Sequence, residues 1–286
     1  MANVTKTTAA VFIPEMWRDA ILDYAERRFQ LRNQVTDFSA MLAGGGDILH
    51  IPKVKEEAAA EKSAGSAVTY SAQTDTEITL TVDQHWYEAK RIEDVVKVQE
   101  SADLFNMYAQ SMGYALAKKV EAHLAALIQT AAANDVTLAA DDTFTTTLLR
   151  DGLEKFLDAG HDYADGGAQL YCSPKAYMSL LGLGDFTEAQ KRGDAENPNV
   201  KGMVMQAYGL NVYPSTDWSE GGTNDTASIF KKEAVYFAQQ INPRVQSSYD
   251  IDHLATSVVA DVMFGSALSH ATNSAAAAIV NFKNPS

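Results

Sequence analysis

Only one cysteine, Cys172, occurs in the 286 residues, so no intrachain disulfide can staple the fold, and the chain fits a reducing cytoplasm. Basic residues are few and scattered: 23 lysines and arginines against 37 acidic residues leave a net charge of -14. Such a surface repels nucleic acid at long range, which argues against a dedicated DNA or RNA binder and favours solubility at high copy number. Long apolar runs are missing too. The N-terminus, MANVTKTTAAVFIPEMW, carries one lysine but no apolar core of signal-peptide length, and no later run approaches a membrane span. The expectation is a soluble chain with no membrane partner, not secreted by this route. What is present is an ordinary globular composition, 46% apolar, in a chain long enough for one large domain or two lobes.

Catalytic motifs are also absent. No HExxH, paired CxxC, EF-hand spacing or GxSxG occurs. The best metal candidate is Asp250, Asp252 and His253, with His161 and Asp162 as outside partners. Two carboxylates and an imidazole so close together can hold a divalent ion, but Asp-rich turns are common in a protein this acidic. Ser173 and Lys175 stand too close for an SxxK pair, and Cys172 in its apolar strand pattern reads as a small buried hydrophobe. The triple glycine Gly44–Gly46 lacks the lysine of a P-loop and precedes a strand, so it reads as a hinge. Trp17, Trp86 and Trp218 lie far apart in sequence and show no stacking platform. No catalytic residue, no cofactor and no metal is expected.

Periodicity supplies the organisation. Residues 1–11 read as an arm of small and polar residues. FIPEMWRDAILDYAERRF, residues 12–29, reads as a helix after Pro14 with Met16, Ile21, Tyr24, Ala25 and Phe29 on one side. GGGDILHIPKV at 44–54 is a break and a strand that Pro52 confines to an edge. Residues 55–75, KEEAAAEKSAGSAVTYSAQTD, contain no Ile, Leu, Phe, Met or Trp and cannot bury a core of their own. TEITLTV at 76–82 alternates Ile78, Leu80 and Val82 with polar residues, a strand pattern. Strand, polar excursion and returning strand describe a two-stranded arm reaching from the body; the competing reading is a disordered surface loop.

The stretch at 101–133 dominates. It has no proline and a four-residue spacing of Leu104, Tyr108, Met112, Leu116, Val120, Leu124 and Ile128, which predicts one long helix capped by Ser101. Fully helical, it is a rod about 50 Å long, a spine for the chain. A second amphipathic helix is predicted at 145–160, with Leu149, Leu153, Phe156 and Leu157 on one face and Gly160 at its C-terminal end. AQLYC at 168–172 reads as a strand, followed by Ser173 as N-cap and Pro174 at the first helical position of PKAYMSLL. After a polar connection at 184–202 the pattern becomes short β segments: VMQAYGLNVYPSTDW, ASIF, AVYFAQQ, SVVADVMFG and the closing AIVNF. They suggest a second, mixed lobe at 200–270.

Taken in order, these pieces resemble the major capsid proteins of tailed bacteriophages. The resemblance is carried by FIPEMWRDAIL at 12–22, GDILHIPKV at 46–54, YALAKKVEAHLAALI at 114–128, YCSPKAYMSLL at 171–181, VKGMVMQAYGLNVYPSTDW at 200–218, and FKKEAVYFAQQ with VVADVMFGSAL. It implies an α+β chain with the Hong Kong 97 capsid fold: N-terminal arm, extended β-hairpin loop, long spine helix, peripheral domain and axial domain. By that resemblance the arm and first helix occupy 1–46, the extended loop 47–98, the spine and peripheral domain 99–199 and the axial domain 200–270. A C-terminal strand at 271–286 returns to the peripheral domain.

What the resemblance implies is a non-enzymatic shell protein. Its copies form pentamers and hexamers of an icosahedral head around double-stranded DNA, which is enclosed without specific binding. A separate scaffolding protein and a portal are the implied partners, with assembly in the host cytoplasm. Intersubunit contact is expected at Lys53, Lys55, Glu56, Glu57, Glu61, Lys62, Lys191 and Arg192, where exposed loops mix both charge signs. Some family members cross-link a loop lysine to an asparagine, but no matching asparagine is found here. Two other readings stand beside this one: an encapsulin-like bacterial compartment shell, and a metal-dependent hydrolase built on Asp250, Asp252 and His253.

Overall fold

The computed structural model describes residues 21, 29–42, 44–53, 59–65, 67, 68, 70, 76–94, 104–131, 134–138, 144–163, 166–183, 206–216, 218, 227–269 and 278–283. In chain order the elements are β1 (Thr36–Asp37), the single turn α1 (Ser39–Leu42), β2 (Ile48–Lys53), β3 (Thr76–Thr81), β4 (Gln84–Glu93), α2 (Leu104–Thr130) and β5 (Val136–Thr137). There follow α3 (Thr146–Asp158), β6 (Ala168–Cys172), α4 (Pro174–Gly182), β7 (Gln206–Ala207), β8 (Leu210–Pro214) and β9 (Ala227–Lys231). The long strands β10 (Val235–Asp250) and β11 (Ala255–Leu268) and the closing β12 (Ile279–Lys283) complete the chain. The helix expected at 12–29 falls almost wholly outside the described residues; its Ile21 and Phe29 are buried.

Helix α2 is the expected spine, with 27 residues and a length of about 40 Å. Met112, Leu116, Val120, Leu124 and Ile128, one per step of the expected stripe, are all buried, and Ala109, Ala117 and Ala125 widen the stripe with small side chains. Each large apolar side chain so buried contributes about 1.5–3 kcal/mol relative to exposure, which fixes the face the helix turns inward. The helix ends at Thr130, three residues before the expected limit, and its end is capped from far along the chain. The last four carbonyls of a helix have no partner within it. Asn281 of β12, itself buried, donates from Nδ2 to the carbonyls of Ile128 (3.0 Å) and Ala131 (2.8 Å) and accepts from Ser228 Oγ (2.6 Å). In mid-helix the buried Glu121 carboxylate accepts the backbone N–H groups of Leu31 (2.7 Å) and Arg32 (3.0 Å), tying the N-terminal segment to the spine.

Strands pair in the order β1-β10-β11-β4 beside the spine. β10 and β11 form one long hairpin, in register from Val235↔Leu268 to Asp250↔Ala255, and β4 pairs antiparallel along the outer side of β11. Val258, Ala260, Val262 and Phe264 of β11 join the core that includes α2, and His123 of α2 meets the Phe264 ring edge-on at 5.3 Å. The opposite face is uncovered and polar, with Arg244, Gln246 and Ser248 exposed. This explains why AVYFAQQ and SVVADVMFG, expected as short segments, belong to strands of 16 and 14 residues. The hairpin's outer half needs no alternating apolar pattern, and Pro243 sits at a register shift between Ile241 and Arg244, where a missing N–H breaks no ladder.

The second sheet has the order β5-β12-β9-β6-β8-β7. β6 is buried at every position, and α3 lies against β12 so closely that a Cβ on Gly152 would come within 2.4 Å of the Phe282 ring. Thr145 caps α3 through its side chain, and the Gly160 and His161 N–H groups close its C-terminus on Leu157 (2.8 Å) and Phe156 (3.2 Å). Ser173 caps α4 ahead of Pro174, as the sequence predicts. Leu157, expected on the inner face of α3, is instead about half exposed at 49%, because the buried face runs through Leu149, Gly152, Leu153 and Phe156. Both sheets and the spine share one continuous apolar core.

These pairings cut across the expected divisions. β6, before residue 200, pairs with β8 and β9 after it, whereas β12, beyond residue 270, pairs both with β5, before residue 200, and with β9. β4, expected within the extended loop at 47–98, is a strand of the body. The chain thus has one lobe around the six-stranded sheet and one around the long hairpin and β4, with the spine packed between their strands. Long-range strand partners decide this, and local periodicity does not contain them.

Candidate functional site

The feature that neither the spine nor the sheets absorb is the arm. β2 and β3 pair antiparallel from Ile48↔Thr81 to Lys53↔Thr76, a two-stranded root separate from both larger sheets. The alternation of TEITLTV is realised: Ile78, Leu80 and Val82 are buried. Leu80 and Val82 form a small second core with Leu42 and Ala238, with Phe38, Leu49, Tyr236 and Met263 packed around it. Here the arm meets the long hairpin at Gly265, where a Cβ would stand 2.1 Å from the Thr81 carbonyl oxygen. Only glycine permits that approach. Behind the arm, Gly45 and Gly46 take positive φ (93° and 115°), and Gln240 Nε2 donates to the Gly46 carbonyl at 2.9 Å. The triple glycine is thus a turn feeding the arm, consistent with a hinge and unlike a phosphate cradle.

Beyond the root, the described residues between 59 and 70 are exposed. Val68 is 57% and Tyr70 93% exposed, the latter close to its full surface in water.

Of the residues expected at contacts between subunits, Lys53 ends β2 and donates from Nζ to the Ser269 carbonyl at 3.3 Å. Glu61 and Lys62 are exposed on the arm. Lys55, Glu56, Glu57, Lys191 and Arg192 lie outside the described residues, as does Trp17.

The metal candidates divide. Asp250, Asp252 and His253 do come together, in the turn 251–254 that joins β10 to β11. Asp250 there serves as a turn anchor: its carboxylate contacts His253 Nδ1 at 2.7 Å, accepts the Asp252 N–H at 3.1 Å and faces Arg91 at 3.5 Å. His161 and Asp162 are far away. His161 stands beside Tyr236 near the other end of β10, and 14 residues of strand from Tyr236 to Asp250 span roughly 45 Å at the usual rise. Among the described residues no group of three His, Cys, Asp or Glu is arranged to hold a metal ion. Ser173 is occupied as a cap, and burial pushes the Cys172 thiol up to about 12, far from the thiolate a nucleophile needs. Trp218 is buried against Tyr171 (5.6 Å), whereas Trp86 lies on β4 beneath Lys119 of α2 (4.7 Å).

The same turn is also a second exposed apolar feature. The turn 251–254 carries Ile251 at 76% and Leu254 at 61% exposure, and Tyr249 OH donates to Asp94 Oδ2 at 2.7 Å beneath it. Lower on the same uncovered face, Asp261 receives Arg244 Nε (2.8 and 3.0 Å) and His85 Nε2 (2.9 Å), joining β11 to both neighbours. Desolvation alone would raise the Asp261 carboxyl; the hydrogen bonds and charge of Arg244 and His85 outweigh it and hold the group below its ordinary value. Asp250 behaves likewise, its desolvation overcome by His253 and two backbone N–H groups. The sequence signal for this turn is an Asp-x-Asp-His run between two β patterns.

The chain shares its fold with virus shells. A structure from Mycobacterium phage Che8 superposes with a TM-score of 0.75 at 21% identity, over 88% of this chain and 90% of that one. The capsid structure of cyanophage P-SCSP1u gives 0.67 at 18% identity, covering 90% and 88%. A virus-like particle from Pyrococcus furiosus gives 0.62 at 15%, covering 94% and 98%. No curated protein sequence matches. No described helix is long and apolar enough to cross a membrane. A sequence model of the phage capsid protein family matches residues 77–280, from the returning strand of the arm through the spine and both lobes to β12. The chain therefore belongs to the phage capsid protein family and has the Hong Kong 97 type of fold, that of a structural shell protein.

Proposed function

We propose that this protein is the major head protein of a tailed phage, whose copies form pentamers and hexamers and close into an icosahedral shell around double-stranded DNA. The observation that carries the reading is the arm: a root seated in the body by its own small core, and an outer stretch that leaves Val68 and Tyr70 in solvent. A monomer gains nothing from ordering such an arm. A neighbouring subunit would cover it. The mixed-sign residues Lys55, Glu56, Glu57, Glu61, Lys62, Lys191 and Arg192 then pair across subunits, each pair worth under about 1 kcal/mol but repeated around the shell. The lobe of the six-stranded sheet and the lobe of the long hairpin take the two positions a capsomer offers, at its centre and at its periphery, and the spine sets the distance between them.

The net charge of -14 supports enclosure without tight binding, since packaged duplex has to slide along the wall. Assembly takes place in the host cytoplasm with a separate scaffolding protein and a portal. The test is co-expression with the scaffold, followed by sedimentation and electron microscopy. Closed or aberrant shells or capsomer-sized rings support the reading, and a chain that stays monomeric with scaffold present overturns it. Enclosed enzymes instead of DNA in such shells would favour the compartment reading.

A further inference from the structure

The root of the arm is held by more than its apolar seat. A small cavity of about 140 Å³ lies where three parts of the chain converge. Ile51, Pro52, Lys53 and Ile78 reach it from the arm, Glu233, Tyr236 and Ser269 from the long-hairpin lobe, and His161 and Ala278 from the lobe of the six-stranded sheet. Across it the half-buried Lys53 donates to the Ser269 carbonyl, one residue past the end of β11. Ser269 in turn donates its own N–H to the Ala234 carbonyl at 2.9 Å, which holds the residue that Lys53 meets beside the start of β10.

We propose that Lys53 is a latch: its bond to Ser269 in this three-way junction couples the direction of the arm to the seating of both lobes. Besides the apolar seat around Leu80 and Gly265, the latch ties the arm at the cavity lined by Tyr236 and His161. A Lys53 ammonium held there is partly desolvated, in keeping with its lowered pKa, and Glu233, His161 and Tyr236 are the other ionisable side chains that line the cavity. The latch works within one chain, so it is distinct from any contact Lys53 makes in a shell. It goes beyond the shell reading and does not depend on it.

Hydrogen–deuterium exchange on the full-length, unassembled protein tests it, with wild type, Lys53→Met and Lys53→Arg compared. Losing a bond from a charged donor should raise amide exchange in β2 and β3 about tenfold in Lys53→Met. The rise should spread to residues 156–163 and 278–283 across the junction, and Lys53→Arg should stay near wild type. Exchange unchanged in Lys53→Met, or raised in the arm alone, overturns the coupling. A second measurement needs no variant: acylation of Lys53 in the wild-type protein should run about tenfold slower than that of exposed Lys62, because the latched amine has to open first. Equal rates overturn the latch even if Lys53→Met fails to fold. Neither readout involves assembly, so failure of the latch and failure of the shell reading are told apart.

Discussion

The spine and the arm use apolar surface in opposite ways. α2 turns Met112, Leu116, Val120, Leu124 and Ile128 into the core and has both its middle and its end bonded by distant segments, through Glu121 and Asn281. The arm buries only its root, and Tyr70 stands 93% exposed. One element is made by the chain for itself. The other is made for a different molecule. Damage to the spine should therefore appear first in folding, and damage to the outer arm only in assembly.

The largest expected effect is at mid-spine. Leu116→Pro removes a backbone bond and clashes with the preceding turn, costing about 3 kcal/mol or more before the lost burial is counted. Soluble folded subunits should not be recovered, as read by circular dichroism and thermal melting. A cooperative, near-wild-type melt would break the contrast on the spine's side.

At the junction between the two regions the effect should be intermediate. Gly265→Val drives a side chain into the Thr81 backbone, which cannot step aside cheaply. Overpacking of this kind costs about 1–3 kcal/mol. Exchange should loosen β2 and β3 while α2 stays protected. Loosening of α2 instead would mean that the arm root and the spine are one cooperative unit.

The uncovered sheet face sharpens the comparison through pH. Asp261 and Asp250 have depressed carboxyl pKa values in the fold, so their contribution is present above the ordinary aspartate value near about 4 and is lost as pH falls through the folded value. Asp261→Asn should lower the melting temperature at pH 7, and the gap to wild type should close below about pH 4. A gap constant down to the acid limit would show that the Arg244 and His85 contacts contribute nothing through charge.

The smallest effect on folding is expected at the arm's outer end. Tyr70→Ser removes an exposed ring and should change stability by no more than about 0.5 kcal/mol, yet lower the yield of shells by sedimentation. A melting temperature that falls with Tyr70→Ser would place that ring inside the chain's own fold.

What could be read from the sequence follows the same contrast. The spine stripe, the alternation of Ile78, Leu80 and Val82, and the Ser173–Pro174 cap are local patterns with local causes, and each is realised. The arm was legible through what it lacks, since a stretch without large aliphatic residues cannot make a core. The lobes were not legible. Their boundaries depend on β6 finding β8 and β9, and on β12 returning to β9, pairings with no sequence-local signal. The length of the long hairpin was hidden because its outer half is polar with one face bare. Leu157 misled because it lies at the margin of its helix face, beside Tyr163 and Tyr208 in an open groove.

Deleting residues 56–75 in the full-length protein, with sedimentation and thermal melting on the same sample, tests the division of labour most directly. The prediction is a body that melts within a few degrees of wild type and forms no shells with scaffold present. Normal shells from the deleted chain, or a body that no longer folds, would contradict it.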